Sequence, residues 1–211
     1  MRIIWHGHAC FEIRDHTAIV TDPHDGKSLG IKPPRARADI VLVSHDHFDH
    51  NAVKTVKGDF AVVKEPGERA IKNVLILGVN TAHDDCKGMK RGKNIVFRFE
   101  LGSLIFCHCG DLGHRLESGQ IGLLKPIDIL FLPVGGIPTI EIEHAKRVVE
   151  DLDPRVVIPM HFKVPGLALS IQPVEVFLSG IPEEKIRRVG NEVEFAKEDL
   201  PKEREYWVFS A

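Results

Sequence analysis

Five metal-competent side chains fall within the six residues His45-Asp46-His47-Phe48-Asp49-His50, just after the apolar run Ile40-Val41-Leu42-Val43. The run reads as a short buried strand, so the cluster sits where that strand leaves a sheet. Side chains on an extended backbone alternate, which points His45 and His47 the same way and puts both within reach of one ion. Asp49 and His50 follow at the turn, where an oxygen and a nitrogen reach toward a second ion beside the first. A solvated polar turn is the bland alternative. It is disfavoured because histidine and aspartate at this density are costly to hold together without a cation between them.

The chain has 211 residues, a length that fits one domain over residues 1–211 and leaves little room for two. With 43% apolar and 27% charged residues it has the composition of an ordinary soluble globular protein. A formal net charge of -2 argues against a surface built for large nucleic acids, though local basic loops are compatible with it. The apolar run from Ile127 to Val134 is interrupted by Asp128 and Pro133 and falls well short of the roughly 20 residues of a bilayer span, so no membrane segment is expected. His6 and His8 interrupt the opening residues where a signal peptide needs a greasy core, and a cytoplasmic location is the expectation. Without a secretory context, Cys10, Cys86, Cys107 and Cys109 are expected as reduced thiols. On a strand Cys107 and Cys109 share one face and His108 takes the other. The pair reads better as small buried side chains than as a thiolate metal site.

Short β-like segments dominate the first half: Arg2 to Trp5, Ala9 to Ile13, Thr17 to Thr21, Asp39 to Val43, Phe60 to Val63, Val74 to Leu77, Ile95 to Glu100 and Leu104 to Cys107. Turn signals such as Arg14-Asp15-His16 and Leu101-Gly102-Ser103 suggest hairpins. Helical periodicity is clearest from Thr139 to Leu152, with Thr139 as a plausible cap, Asp153-Pro154 as a stop and a strand from Arg155 to Pro159 beyond it. Further helix is expected at Asn51 to Val56, Arg115 to Leu124 and Pro173 to Leu178. Strand-rich and helix-plus-strand stretches in both halves, with no linker between them, predict an α/β fold. Its form is a four-layer αβ/βα sandwich of two mixed sheets with helices on the outer faces.

Five more places put a metal-competent residue at or just past the end of an apolar segment: His8, Asp22, His83, Asp111 and His161. Taken singly each is an ordinary turn residue; their repetition at strand ends carries the argument. The segment His45 to His50 fits the HxHxDH signature of the metallo-β-lactamase superfamily. The family's other motifs follow in order: Asp22 in Thr21-Asp22-Pro23, His83, Asp111 in Cys109-Gly110-Asp111, and His161 in Pro159-Met160-His161-Phe162. The stretches His6-Gly7-His8-Ala9-Cys10-Phe11 and Leu132-Pro133-Val134-Gly135-Gly136 resemble the branch holding the L-ascorbate-6-phosphate lactonases and small metal-dependent hydrolases. The resemblance spans nearly the whole chain.

What the resemblance implies is the sandwich fold and a two-metal hydrolytic site. His45, His47 and His83 would bind one divalent ion and Asp49, His50 and His161 the other, with Asp111 bridging. Zinc is the first expectation, with manganese or iron also suited to this donor mix. Asp22 would orient a liganding histidine by hydrogen bonding. A hydroxide shared by the ions would be the nucleophile, oriented by Asp49, with His8 or His108 as the candidate proton donor. Only about fifty residues follow His161, too few for the helical substrate domain of glyoxalase II enzymes, and no arm like that of the tRNA 3′-processing nucleases is inserted. A small ester, lactone or phosphodiester, anionic or not, is therefore the expected partner; the basic loop residues Lys27, Lys32, Arg35, Arg37, Lys87, Lys90, Arg91 and Lys93 could hold a phosphate or carboxylate on it, with solvated loop charges as the favoured alternative. Three other readings stay open: a nuclease for RNA or single-stranded DNA, a di-iron redox module, and a non-catalytic metal binder. Oligomeric state is not legible.

Overall fold

The computed structural model describes residues 1–210. One sheet takes β1 (Arg2–Trp5), β2 (Phe11–Arg14), β3 (Ala18–Thr21), β4 (Ile40–Leu42) and β5 (Ala61–Val63). The other takes β6 (Gly67–Ile71), β7 (Val74–Ala82), β8 (Lys93–Leu101), β9 (Leu104–His108), β10 (Ile129–Pro133), β11 (Val156–Met160), β12 (Ile186–Arg188) and β14 (Glu205–Val208). A late strand, β13 (Glu192–Glu194), returns to the first sheet. The orders are β13-β1-β2-β3-β4-β5 and β12-β14-β11-β10-β9-β8-β7-β6, so residues beyond His161 complete both sheets.

Hydrophobic patterning explains the layering. The parallel strands β10 and β11 are buried along their whole length, as continuous apolar runs covered on both faces must be. In β3 and β4 the period of two divides the side chains between layers. Ile19, Ile40 and Leu42 join the core between the sheets, while Val20, Val41 and Val43 join a separate cluster with Ala36, Ala38 and Val56 on the outside. An aromatic chain ties the sheets together: Phe11 of β2 lies 4.6 Å from Phe131 of β10, which in turn faces Phe106 of β9.

Helices α1 (Ser118–Leu124), α2 (Ile142–Leu152) and α3 (Val174–Leu178) form one outer layer, with α1 against β7 and α2 between α1 and α3. Helix α2 buries Ala145, Val148, Val149 and Leu152 and ends at Asp153, which takes a left-handed φ of 51°. Its N-cap is Glu141 rather than Thr139, because the Thr139 hydroxyl donates to the Gly136 carbonyl in the preceding loop. The helix expected over Asn51 to Val56 is only a 3-10 turn, Val53–Thr55. The amide of Ala52 is drawn away to the Pro23 carbonyl, and the outer face of the first sheet is covered by this turn and its loop. All four cysteines are free, and three of them are buried. No helix of the described residues is long and apolar enough to cross a membrane.

Phe131 is fully buried where the two sheets meet, so Phe131→Ala is expected to destabilise the fold by about 3–5 kcal/mol through lost transfer energy and a residual cavity. Urea unfolding followed by circular dichroism measures it.

Candidate metal centre

Strand direction brings the site together. Strand β3 runs parallel to β4, and β1 has the same sense because β2 reverses twice between them. In the second sheet β9, β10 and β11 are parallel, and β7 shares their direction through the antiparallel β8. His8, Asp22, His45, His83, Asp111 and His161 all follow the C-terminal ends of these like-directed strands, the position where crevices of open sheets gather ligands. Three of them, His8 (φ 56°), Asp22 (φ 38°) and His161 (φ 52°), hold left-handed backbone, an uncommon conformation that marks turns fixed by their surroundings.

The predicted ligands converge. His45, His47 and His83 present donor atoms within 4.8 Å of one another, and so do His8, Asp49, His50 and His161. Asp111 lies between the two groups. Its Oδ2 is 3.0 Å from His83 Nε2, 3.2 Å from His161 Nε2 and 3.9 Å from His45 Nε2, while its Oδ1 is 3.3 Å from His50 Nε2. All these residues are buried except His47, which is half-buried.

Behind the donors stands a set of hydrogen bonds that aims them. Asp22 accepts from the Ser44 amide at 2.7 Å and the Ser44 hydroxyl at 2.7 Å, and lies 3.0 Å from His50 Nδ1, which leaves His50 Nε2 facing the cluster. Ser44 Oγ also lies 2.9 Å from His45 Nδ1, with the same effect on His45. Asn94, fully buried, accepts from the Asp111 amide at 3.0 Å and donates to Thr81 Oγ1 and the Cys109 carbonyl. A Cβ on Gly110 would stand 2.4 Å from Asn94 Oδ1, so this turn admits only glycine. His114 Nε2 accepts from the Ala82 amide, and a Cβ on Gly113 would meet the Asp84 amide nitrogen at 2.2 Å, so the His83 turn is gripped from that side. Sequence reasoning missed Ser44, Asn94 and His114. Ser44 abuts the signature, but Asn94 looked like the residue before a strand, and nothing local marks it as a scaffold.

The two candidate proton donors differ in their surroundings. His108 is fully buried, its Nε2 donates to the Ala9 carbonyl at 3.0 Å and its Nδ1 accepts from the Gly110 amide at 3.2 Å. That is a neutral ring braced between the sheets and the Asp111 turn. His8 Nε2 instead lies 3.1 Å from Asp49 Oδ2, among the donors. The basic side chains proposed to hold an anion are all exposed. Asp84 anchors their second loop by accepting from the amides of Cys86, Gly88, Lys90 and Arg91. The loops near Leu29 and Leu167 close against each other through a small apolar cluster with Ile171.

Protonation follows from this burial. Desolvation pushes His8 and His45 down to about 3, helped by their histidine neighbours His161 and His50 respectively. Burial opposes charge on His50 as well, but Asp111 and Asp22 outweigh it and hold its pKa well above the usual value. Burial likewise opposes charge on Asp49 and Asp111; His50 and His8 overcome it at Asp49, His161 and His50 at Asp111, so both stay below the ordinary carboxylate range.

A divalent ion fits these residues. His45 Nε2, His50 Nε2 and Asp111 Oδ1 are buried without any hydrogen-bond partner, though oppositely polar atoms lie near them. Donors bound at about 2.0–2.2 Å to one ion sit roughly 3.0–3.5 Å apart, and Asp111 lies 3.0–3.3 Å from His83, His161 and His50; metal binding uses ionised carboxylates and neutral histidines, so His50 would give up its proton to bind.

Residues 2–161 match the sequence model of a β-lactamase superfamily domain. A metal-dependent hydrolase of Thermoplasma acidophilum is 29% identical over 187 residues, covering 77% of this chain and 83% of its own. That of Thermoplasma volcanium is 30% identical with the same coverage. Among solved structures, a candidate Zn-dependent hydrolase of the metallo-β-lactamase superfamily from Thermotoga maritima is 40% identical, covers 99% of this chain and 98% of its own, and superposes with a TM-score of 0.82.

Two outcomes follow from the geometry. Asn94→Ala removes a buried acceptor from the Asp111 amide and is expected to cost about 1–3 kcal/mol in urea unfolding. In chelator-treated protein, stability is expected to fall as pH drops from the ordinary histidine value of 6.5 toward 3, because the unfolded chain takes protons that folded His8 and His45 refuse. The contribution of His50, whose folded pKa is raised, is already complete below 6.5 and does not offset this loss. Urea midpoints at pH 6.5 and pH 4 make the comparison; equal midpoints contradict it.

Proposed function

The chain belongs to the β-lactamase superfamily domain family, and from that premise we propose that it is a metal-dependent hydrolase with a dinuclear centre, acting on a small, anionic ester, lactone or phosphodiester. The observation that carries the reading is Asp111, a buried carboxylate between two separate donor groups, with Oδ2 near His83 of one and His161 of the other and Oδ1 near His50. His45, His47 and His83 would hold one divalent ion, and Asp49, His50 and His161 the other, with zinc the first expectation. When bound, such ions lower the pKa of coordinated water toward neutrality and take up negative charge that develops on oxygen.

The chain's own residues do the rest. Asp22 and Ser44 fix the rings of His50 and His45, so the donors are aimed before any ligand arrives. Asp49, held between His8 and His50, keeps its ionised oxygen directed at the reacting region. His108 braces the Asp111 turn rather than exchanging protons with substrate, since both ring nitrogens are engaged by backbone. Half-buried His47 marks the side from which solvent and substrate enter. The exposed lysines and arginines of residues 27–37 and 87–93 supply charge for a phosphate or carboxylate on the substrate. The even net charge favours a small substrate over polynucleotide, and a cytoplasmic, single-domain protein is the accompanying reading.

Asp111→Ala is expected to lower occupancy of both ions together, measured by mass spectrometry of metal content; loss of one ion with the other untouched argues against a bridge. Asp49→Ala is expected to reduce turnover by at least about 10²-fold in a screen of lactones, phosphodiesters, thioesters and β-lactams. Full activity in that variant would remove Asp49 from the mechanism.

A further inference from the structure

The ligand assignment above leaves out His8, yet the structure puts its ring inside the donor cluster. His8 Nε2 lies 3.1 Å from Asp49 Oδ2, and His8, Asp49, His50 and His161 each offer one donor atom within 4.8 Å of the other three. Its ring centroid is 4.1 Å from that of His161 and 5.0 Å from that of His50. A ring serving only to orient Asp49 would need to meet that carboxylate alone. Here it meets the whole set.

The backbone is built to deliver it. His8 follows Gly7 (φ 95°) and itself takes φ 56°, a left-handed conformation that histidine adopts more readily than most residues but still uncommonly. The His8 carbonyl accepts from Trp5 Nε1 at 3.1 Å and from the His161 amide at 3.3 Å, so the first hairpin is stitched to the end of β11 beside the ring. With only 1% of the residue exposed, the ring is enclosed together with the other donors of its group.

We propose that His8 is itself a metal ligand, joining Asp49, His50 and His161 through Nε2 so that the two halves of the centre hold their ions unequally. The proposal rests on the dinuclear reading above. Counting Asp111 on each side, one half then offers His8, Asp49, His50 and His161, all buried, against His45, His47 and His83 with His47 half-exposed. The richer half is closed and retains its ion. The poorer half keeps a coordination position open and exchanges its ion with solvent, the division seen between structural and catalytic metal sites.

The test uses metal-free full-length protein reconstituted with Co(II) alone, with occupancy by mass spectrometry, affinity by competition with a chelator, and visible absorption as a report of coordination. His8→Gly suits the left-handed backbone and leaves space for an imidazole; His8→Asn keeps a polar side chain that tolerates the same φ. Both variants are expected to weaken one Co(II) ion by about 10–100-fold, to change its visible band, and to leave the other ion within about twofold. Added imidazole is expected to restore the band in the glycine variant. Unchanged affinities and spectrum in both variants overturn the proposal. Equal loss of both ions in both variants overturns it too, because it would make His8 a support for the whole cluster. If the wild type binds no Co(II), the hydrolase reading fails with it; if it binds one, the dinuclear reading fails while the variants still decide whether His8 is a ligand.

Discussion

Asp22, Asp49 and Asp111 lie together in the interior with at most 7% of any of them exposed, and the rest of this structure depends on how that charge is balanced. Burying an ion costs several kcal/mol even after relaxation, so three carboxylates cost an amount comparable to the whole 5–15 kcal/mol stability of a typical domain. Asp22 is offset by two Ser44 donors and His50. Asp111 is offset by histidines alone, His83 and His161 at Oδ2 and His50 at Oδ1, and Oδ1 has no hydrogen-bond partner. Asp111 and Asp22 hold the His50 pKa well above its usual value against its own burial. The converging donors, with His45 Nε2, His50 Nε2 and Asp111 Oδ1 buried without a hydrogen-bond partner, are the physical reason to read the cluster as a candidate metal centre and not as a satisfied polar core.

The sandwich suits the metal centre proposed above. A cation between two donor groups needs ligands from both sheets, so both must present strand ends of one direction at one edge. The like-directed β1, β3 and β4 and the like-directed β7, β9 and β11 meet that condition. His108 makes the dependence concrete, since its ring spans the gap from β9 to the Ala9 carbonyl while bracing the turn that carries Asp111. The aromatic contact of Phe11 with Phe131 sets the separation of the sheets at the same time as it fills the core.

Much of this was legible in the sequence because the informative residues are polar and sit at the ends of apolar runs. The strands leading to Asp22, His45, Asp111 and His161 were readable within a residue or two, since continuous burial leaves a run with no competing interpretation. The strands not named from the sequence include the apolar β10 (Ile129–Pro133) and β14 (Glu205–Val208), and others that are short or charged. Glu192–Glu194 and Ile186–Arg188 exist because a neighbouring edge accepts them, and no local pattern encodes that. Asn94 and His114 are the same case at the site: each acts through a backbone amide distant in sequence, Asp111 for one and Ala82 for the other. The Asn51 to Val56 helix failed for a related reason, with tertiary bonds to Pro23 outcompeting a weak local preference.

The loops argue for a substrate bound by its periphery. On the hydrolase reading proposed above, the candidate ligands are nearly all buried, so a reacting bond would approach at the half-exposed His47 side, with little of the substrate enclosed. Recognition then falls to the exposed rim. Asp84 stands immediately after His83 and ties four amides of the following loop, which fixes the path of a segment bearing Lys87, Lys90 and Arg91 relative to the centre. On that reading, a loop whose backbone is so pinned would present its cationic side chains with less ordering cost at the moment of binding, and such preorganisation would favour substrates by where their negative charge lies relative to the scissile bond.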